Sequence, residues 1–392
     1  MIDRRTLLIA SAAGLAAGTV RAAEPNGRDS ELKALLDRLQ TEPPAAAAEA
    51  LTRFDPGGLS PVRRREREAV LTGLSLETKA GQGYAALLAS QLGAPVDPLA
   101  AHRRAQTEAE RLQAKADRLL RGQGLTQGAV GERLTRLLAD ERYLYSDDDA
   151  GRDKAVAEMN AWLAAIRPRL GSAFGGLPIP PAEARRMSQA DAAKGRAGYR
   201  EAGTFERPGA YYVDLKAIRA RPSWTLPAVV HHELIPGHLL QLPLQAAADP
   251  HPLRLRVSRA YFEAWGIYAE QLADDLGLMA AAPLARIGSL HWRLFRLARI
   301  VADTGLHARG WSRDQAIDAM RAIQGPPIAF VDVPADVDRM TREPAAFAAQ
   351  GLGALDLARH RPRTGWAAYH RAVLADGPWP FATLAALVGA AR

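Results

Sequence analysis

Apolar side chains recur at intervals of three and four residues over most of this 392-residue chain, and this period restricts the fold more than any other feature. Leu32, Leu35, Leu36 and Leu39 begin the pattern near the start of the chain. The segment 210–215 (AYYVDL) is the one convincing strand, because it combines aromatic and β-branched residues after a glycine. The sequence therefore predicts a mainly α fold, a large helical bundle with one or a few short strands.

Glycine and proline are concentrated in the segment 171–181 (GSAFGGLPIPP), which predicts a linker or a long loop. We therefore distinguish a helical N-terminal region at 23–170 from a region at 182–392 that carries the candidate site. We expect the two regions to form one continuous fold.

The first 22 residues have the organisation of a secretory signal peptide: adjacent arginines, a mostly apolar run and the cleavage site Val20-Arg21-Ala22. The apolar run is shorter than the roughly 20 residues that cross a bilayer, and no later stretch is long enough. Arg4-Arg5 resembles the twin-arginine type of signal. We therefore predict a periplasmic protein with no stable membrane span after removal of the signal.

The chain has no cysteine, so a bound metal would need nitrogen and oxygen ligands. Its formal net charge is +8, but the basic residues are spread along the chain among 43 acidic ones. A nucleic-acid-binding surface would group them in one arm or stripe, interleaved with aromatic residues. The composition thus argues against nucleic-acid binding.

The segment 231–238 (HHELIPGH) has the donors of a stretched zincin motif. In the ordinary H-E-x-x-H form the two histidines are four residues apart, share a helix face and bind one zinc ion. Here His232 and His238 are six apart, which on a regular helix turns the second ring by about 120° from the first. Pro236 and Gly237 break the helix between them, and we expect a kink or wide bulge that returns His238 to the metal side.

The spacing also bears on which histidine pairs with His238 and on which acid could be the third ligand. His231 and His238 would share a helix face, but seven residues separate them by about 10.5 Å along the axis, which is too far for one ion. Glu263 and Glu270 lie on one stripe of a largely apolar helix downstream, and only one of them can be a third ligand. The alternative for either acid is a salt bridge on the helix face.

A third polar stripe lies in the helical segment 290–310, where Arg299, Asp303 and His307 follow each other at intervals of four residues. Leucines and valines surround these side chains in the sequence. Taken alone, the spacing indicates an ion pair between Arg299 and Asp303 in the core.

Three segments resemble, almost word for word and in the same order, a bacterial family called domain of unknown function 885: HELIPGHLLQ (232–241), YFEAWGIYAEQLADDLGL (261–278) and RLARIVADTGLHARGWSRDQAI (296–317). That family is similar to mainly helical gluzincin metallopeptidases, which include carboxypeptidases. The resemblance implies a bundle of the gluzincin type with the strand at the active-site cleft. It also implies one zinc ion per chain, bound by His232, His238 and Glu263.

The resemblance further implies roles for side chains around this metal. Glu233 would be the general base, and Tyr211 or His307 would hydrogen-bond the developing oxyanion. We expect Tyr212, Arg299 and Asp303 to contact the substrate, and a peptide to be that substrate. One departure from the family is Gln350, which stands where the family has a tyrosine.

The sequence thus predicts a hydrolase, a zinc metallopeptidase that acts as a carboxypeptidase or an oligopeptidase. One alternative is a zinc-binding envelope protein with weak or no activity, which Gln350 favours. Another is a structural bundle whose histidines and glutamates satisfy one another. Glu233 favours the enzyme, because a protein that only binds metal has no use for a base beside it.

Overall fold

The structure is a computed structural model that describes residues 26–328 and 331–390. The signal peptide predicted at 1–22 lies outside these residues. The described residues form nineteen α-helices and three strands. In chain order these are α1 (Gly27–Leu39), α2 (Pro44–Arg53), α3 (Pro61–Lys79), α4 (Tyr84–Leu92), α5 (Pro98–Gly122), α6 (Val130–Leu138), α7 (Asp149–Ile166), α8 (Leu170–Phe174), β1 (Ala182–Arg186), α9 (Gln189–Ala193), β2 (Tyr199–Glu201), β3 (Gly209–Val213), α10 (Leu226–Glu233), α11 (His238–Ala248), α12 (Pro252–Arg256), α13 (Tyr261–Asp275), α14 (Pro283–Ala308), α15 (Arg313–Gln324), α16 (Val333–Arg342), α17 (Ala346–His360), α18 (Trp366–Leu374) and α19 (Phe381–Ala390).

This architecture confirms the mainly α prediction, and β3 lies where a strand was expected. The sequence analysis missed β1 and β2, which read AEARR and YRE and have no β-branched residue. Their pairing with β3, not their own propensity, makes them strands. None of the helices in residues 26–328 and 331–390 is long and apolar enough to cross a membrane.

The three strands form one small sheet in the order β1-β3-β2, with β1 parallel and β2 antiparallel to β3. In the β2–β3 register, Arg200 pairs with Tyr211 and Tyr199 pairs with Tyr212. Because successive side chains of a strand point to opposite faces, Arg200 and Tyr211 share one face, and Tyr199 and Tyr212 share the other.

The segment 171–181, predicted as a linker, is partly helical because α8 extends to Phe174. The largest hydrophobic cluster contains side chains from both sides of it, such as Leu112 and Met159 before it and Trp265 and Leu294 after it. The core is therefore continuous across the boundary between the two regions.

Two packing relations place the candidate site inside the bundle. The two longest helices, α5 and α14, pack against each other, and α13 packs between α10 and α17. Helix α13 is buried on most sides and includes the fully buried Trp265 and Tyr268. The carboxylates on the buried faces of this helix need partners in the interior.

Candidate metal centre

The segment between the two histidines is a complete break between helices. Helix α10 ends at Glu233 and α11 begins at His238, so residues 234–237 separate them. A Cβ atom on Gly237 would lie 1.9 Å from the carbonyl oxygen of His232, so no other residue fits this turn. The predicted interruption is confirmed, but it consists of two separate helices and not of a kink or bulge within one.

The break brings two imidazoles together beside one carboxylate of α13. The rings of His232 and His238 meet edge-on, with centroids 4.8 Å apart and planes at 88°. Nε2 of His232 lies 3.5 Å from Oε2 of Glu263, and Nε2 of His238 lies 3.7 Å from Oε1. Ligand atoms of all three residues lie within 4.8 Å of one another. We call these three residues the triad.

Each imidazole of the triad is oriented by a second side chain. Nδ1 of His232 lies 2.8 Å from Oε1 of Glu270, and Nδ1 of His238 lies 3.1 Å from Oε1 of Gln241. A carboxylate oxygen accepts, so Nδ1 of His232 donates to Glu270, and Nε2 on the other side of the ring faces Glu263. Of the two acids on this stripe, Glu263 thus faces both rings, and Glu270 lies behind one of them.

Helix α13 also contributes two residues that shape the break. Trp265 donates from its indole Nε1 to the carbonyl oxygen of Pro236 at 2.9 Å. A Cβ atom on Gly266 would lie 2.8 Å from Cε1 of His232, so the glycine lets this ring pack against the helix. The segment EAWG at 263–266 therefore provides a ligand, an anchor for the break and the space for a ring.

His231 takes no part in the triad. Its Nδ1 lies 3.0 Å from the carbonyl oxygen of Ile235, within the break, and its ring is fully buried. Burial lowers the pKa of His231 to about 4, which keeps the ring neutral. His231 thus contacts the break and lies outside the triad.

The electrostatics of the triad are those of a compact, mostly buried charge cluster. Burial lowers the pKa of His232, but its contacts with Glu263 and Glu270 outweigh burial and raise the value to about 9. Burial, assisted by the positive charges of Arg200 and His232, holds the pKa of His238 well below its usual range. Burial raises the pKa of Glu263, but the contact with His232 reverses this and leaves the value well below normal.

Glu233 lies next to the triad and is paired with an arginine that the sequence analysis did not single out. Arg200 donates from a terminal guanidinium nitrogen to Oε2 of Glu233 at 2.6 Å. Arg200 belongs to β2, which the sequence did not reveal as a strand, so no local signal could have identified it. Only the pairing of β2 with β3 brings this side chain to α10.

The adjacent residues Tyr211 and Tyr212 lie on opposite faces of the sheet. Tyr211 shares its face with Arg200, and burial together with the nearby charge of Glu233 raises the pKa of its hydroxyl. Tyr212 instead donates to Oε2 of Glu201 at 3.0 Å and stacks on Tyr199 with centroids 4.6 Å apart. Of the two tyrosines expected near the substrate, Tyr211 therefore shares the sheet face of Arg200 and Tyr212 lies on the opposite face.

Arg299 and Asp303 do not pair with each other, contrary to the expectation from their spacing. Arg299 forms a bidentate ion pair with Asp336, at 2.7 and 2.6 Å. Asp336 comes from α16, so its approach to α14 depends on the tertiary fold. This buried pair leaves the Arg299 guanidinium engaged in the core and gives no support to a role in substrate binding.

Asp303 forms a second polar cluster with Tyr84 and His307, which we call the Asp303 cluster. Oδ1 of Asp303 accepts from the Tyr84 hydroxyl at 3.1 Å, and both carboxylate oxygens accept from backbone amides of Ala345 and Ala348. Burial raises the pKa of Asp303 to about 6, although these amide hydrogen bonds oppose the rise.

His307 completes this cluster through its ring. The ring stacks on Tyr84 with centroids 5.1 Å apart, and Nε2 lies 3.2 Å from the carbonyl oxygen of Met340. No hydrogen bond or ion pair within the described ranges joins the cluster to the triad, so the predicted role of His307 near the oxyanion has no support in these contacts. Gln350 lies half-buried in α17.

The fold and the site together define a mainly helical protein with a buried cluster of two histidines and one carboxylate. The chain belongs to the family described as bacterial protein of unknown function (DUF885), whose model matches residues 5–388. None of the curated proteins matches this chain.

Two solved structures are similar to this fold, and each is described as a "putative lipoprotein". The protein from Colwellia psychrerythraea has a TM-score of 0.69 at 25% identity, over 93% of this chain and 69% of that one. The protein from Shewanella oneidensis, described as of unknown function, has a TM-score of 0.64 at 14% identity, over 92% of this chain and 73% of that one. The second likeness concerns the fold alone.

Proposed function

We propose that this protein is a zinc-dependent peptidase whose metal ligands are His232, His238 and Glu263. The observation that carries the proposal is the convergence of three donor atoms within 4.8 Å, with Glu233 directly after the first ligand. This is the donor set of hydrolytic zinc sites, which use three protein ligands and leave a fourth position open.

The residues fit a zinc ion in two respects. Ligand atoms bonded tetrahedrally at about 2.0–2.2 Å lie about 3.4 Å from one another. This is close to the 3.5 Å from His232 to one oxygen of Glu263 and the 3.7 Å from His238 to the other. Nε2 of His238 is also buried without a hydrogen-bond partner, a costly arrangement that a metal would relieve. Two imidazoles and one carboxylate suit zinc better than magnesium or calcium, which prefer oxygen ligands.

Zinc in this site would supply a Lewis acid that polarises a peptide carbonyl and lowers the pKa of water towards about 7. Glu233 would accept a proton from the attacking water and return it to the leaving nitrogen. Tyr211 lies on the sheet face that carries Arg200, and its hydroxyl would donate a hydrogen bond to the oxyanion as it develops. Glu270 and Gln241 would hold the two imidazoles in their orientations during these steps.

The second candidate function is a zinc-binding protein without peptidase activity. It is favoured by one contact, the ion pair between Arg200 and Glu233, which occupies the carboxylate that would act as the base. It is also favoured by Gln350, which replaces the tyrosine expected from the family resemblance.

We also propose that the protein acts in the cell envelope. The signal peptide predicted at 1–22 supports this location, as does the similar protein from Colwellia psychrerythraea, which is described as a "putative lipoprotein". The proposed substrate there is a peptide.

The test is hydrolysis of a broad peptide library by the zinc-loaded protein and its Glu233→Gln variant. We expect the unaltered protein to cleave, and Glu233→Gln to keep its zinc and fold while losing at least about 99% of turnover, the usual contribution of a general base. The matched control is Glu201→Gln, which removes a carboxylate from β2 on the sheet face opposite Arg200 and should cleave normally. Equal rates for Glu233→Gln and the unaltered protein, or no cleavage by either, would overturn the peptidase proposal.

A further inference from the structure

Arg200 lies among the candidate functional side chains of the site, and contacts within the protein use only part of its hydrogen-bonding capacity. Its guanidinium donates to Glu233 and lies 5.3 Å from the ring centroid of Phe262. Phe262 in turn stacks on His238, with centroids 4.0 Å apart and planes at 8°. A positive charge is thus placed beside both a candidate metal ligand and the candidate base.

Most of the hydrogen-bonding capacity of Arg200 is unused. A guanidinium has five N–H donors in a planar fork, and the bond to Glu233 is the one that Arg200 makes with the described residues. The Arg200 side chain is 25% exposed, so its remaining donors can reach a ligand. By contrast, Arg296 is 14% exposed and lies 3.8 Å from Glu270, behind the triad.

We propose that Arg200 binds a carboxylate of the substrate, namely the C-terminal carboxylate of a peptide cleaved at its last bond. This inference rests on the proposed peptidase function and narrows it to a carboxypeptidase. A planar fork matches a carboxylate with two parallel hydrogen bonds, and Arg is the residue best suited to this recognition.

The position of Arg200 follows from what the base must contact. For Glu233 to protonate the leaving nitrogen, that nitrogen must lie about 2.6–3.2 Å from its carboxylate. In a C-terminal residue, the carboxylate carbon is two bonds from this nitrogen, or about 2.5 Å away. The substrate carboxylate would therefore lie beside the Glu233 carboxylate and be repelled by it. Arg200 already bridges to Glu233 and supplies the opposite charge at that place.

The Arg200–Glu233 ion pair also has a role before the substrate binds. The ion pair holds the guanidinium at the position that a substrate carboxylate would take over. When the peptide binds, Arg200 turns its fork to the C-terminus and releases Oε2 of Glu233 for the attacking water. A peptide without this carboxylate leaves the ion pair in place, and its cleavage is correspondingly slow.

The test compares one short peptide with a free C-terminus and the same peptide with a C-terminal amide. For the unaltered, zinc-loaded protein we expect kcat/KM for the acid to exceed that for the amide by about 10- to 100-fold, the range of hydrogen bonds to a charged group. In Arg200→Gln this ratio should fall to about one, through a raised KM for the acid and a higher rate on the amide. The matched control is Arg196→Gln, whose guanidinium instead lies over the ring of Tyr199, and it should keep the normal ratio.

A second arm distinguishes the terminal carboxylate from an acidic side chain. Amidated peptides carrying Glu or Gln next to the cleaved bond are compared in the unaltered protein and in Arg200→Gln. We expect no Arg200-dependent preference for Glu, and such a preference would overturn the assignment to the C-terminus. An equal loss on acid and amide in Arg200→Gln would also overturn it, because Arg200 would then only position Glu233.

Calorimetry separates failure of this inference from failure of the proposed function. If the unaltered protein cleaves nothing in the broad peptide library, the peptidase proposal is wrong, and binding of these two peptides still tests Arg200. We expect the acid to bind at least about tenfold more tightly than the amide, with the difference lost in Arg200→Gln. Equal binding of acid and amide by the unaltered protein would contradict the carboxylate site itself.

Discussion

The triad and the Asp303 cluster both combine histidine with carboxylate inside the bundle, but they differ in what their polar atoms contact. In the triad, Nε2 of His232 and of His238 face Glu263 at 3.5 and 3.7 Å, longer than a good hydrogen bond. In the Asp303 cluster, the carboxylate accepts from the Tyr84 hydroxyl at 3.1 Å and from two backbone amides. In the triad, potential metal-ligand atoms converge without forming good hydrogen bonds to one another. The Asp303 carboxylate instead accepts hydrogen bonds from the protein at both oxygens.

This difference separates a site from a structural contact better than residue type does. A buried polar group without a partner costs free energy, which a bound ligand can offset. Nε2 of His238 is such a group, and the carboxylate oxygens of Asp303 are not. The spacing in the sequence singles out both clusters, because helical periodicity reports which face a residue lies on and not what it meets there.

The largest expected effect is loss of the metal from the triad alone. We expect the unaltered protein to bind about one zinc ion per chain, as one three-ligand site would. His238→Ala should reduce the zinc content to near zero, and His307→Ala should leave it unchanged, measured by metal analysis after dialysis. Circular dichroism would verify that both variants are folded. Retention of zinc by His238→Ala would show that the triad is not the site.

Glu270 provides a smaller and more selective test of the triad. Glu270→Gln keeps an oxygen that can accept from Nδ1 of His232 but removes the negative charge. Partners behind a metal ligand typically contribute 10- to 100-fold in metal affinity, so we expect a loss of this size without loss of stoichiometry. Competition with a chelator measures it. An unchanged affinity would mean that Glu270 only fills space behind the ring.

The Asp303 cluster should respond to pH through stability and not through metal binding. Burial raises the pKa of Asp303 to about 6, so between pH 4 and 6 the folded chain holds a proton that the unfolded chain has released. The stability contributed by this group therefore falls as pH rises through that window. Asp303→Asn should remove this dependence. From pH 4 to pH 6, its free energy of unfolding should therefore rise by about 1–2 kcal/mol relative to that of the unaltered protein.

Chemical denaturation at several pH values measures this change. The control is Asp338→Asn, since Asp338 is exposed and its contact with Arg313 lowers the pKa of its carboxyl. That variant should not reproduce the gain. A relative stability of Asp303→Asn that does not depend on pH would mean that Asp303 is ionised in the folded chain throughout this range.

Gln241 should give the smallest effect on the triad. Its amide oxygen lies 3.1 Å from Nδ1 of His238, and a neutral acceptor contributes less than a charged one. We expect Gln241→Leu to lower zinc affinity by less than about tenfold, less than Glu270→Gln in the same assay. A larger loss than for Glu270→Gln would reverse the proposed order of the two orienting side chains.

Several features of this protein follow from local sequence. The three- and four-residue period predicts helices because it places apolar side chains on one face wherever they occur. Pro236 and Gly237 predict the interruption of the helix because proline lacks an amide donor and glycine tolerates close contact. The candidate ligands His232 and His238 lie on either side of this break, so the local sequence also brings these two side chains close to each other.

Other features depend on segments that are distant in the sequence. Arg200 is 33 residues from Glu233, and it reaches that carboxylate from a three-residue strand that has no β-branched residue. The choice of Glu263 over Glu270 is decided by where α13 packs against α10, which periodicity cannot supply because both acids share a stripe. Arg299 pairs with Asp336 of α16 instead of with Asp303, one turn away.

The sequence by itself therefore determined the helical class, the break between His232 and His238 and the residue types of the site. The tertiary structure alone decided which carboxylate faces the two imidazoles, which arginine reaches the candidate base and which acidic residues are saturated by backbone amides. The physical reason is the distance along the chain over which each effect acts. Periodicity, proline and glycine act within a few residues, whereas each partner of a buried charge is selected by packing between helices and strands that are far apart in the chain.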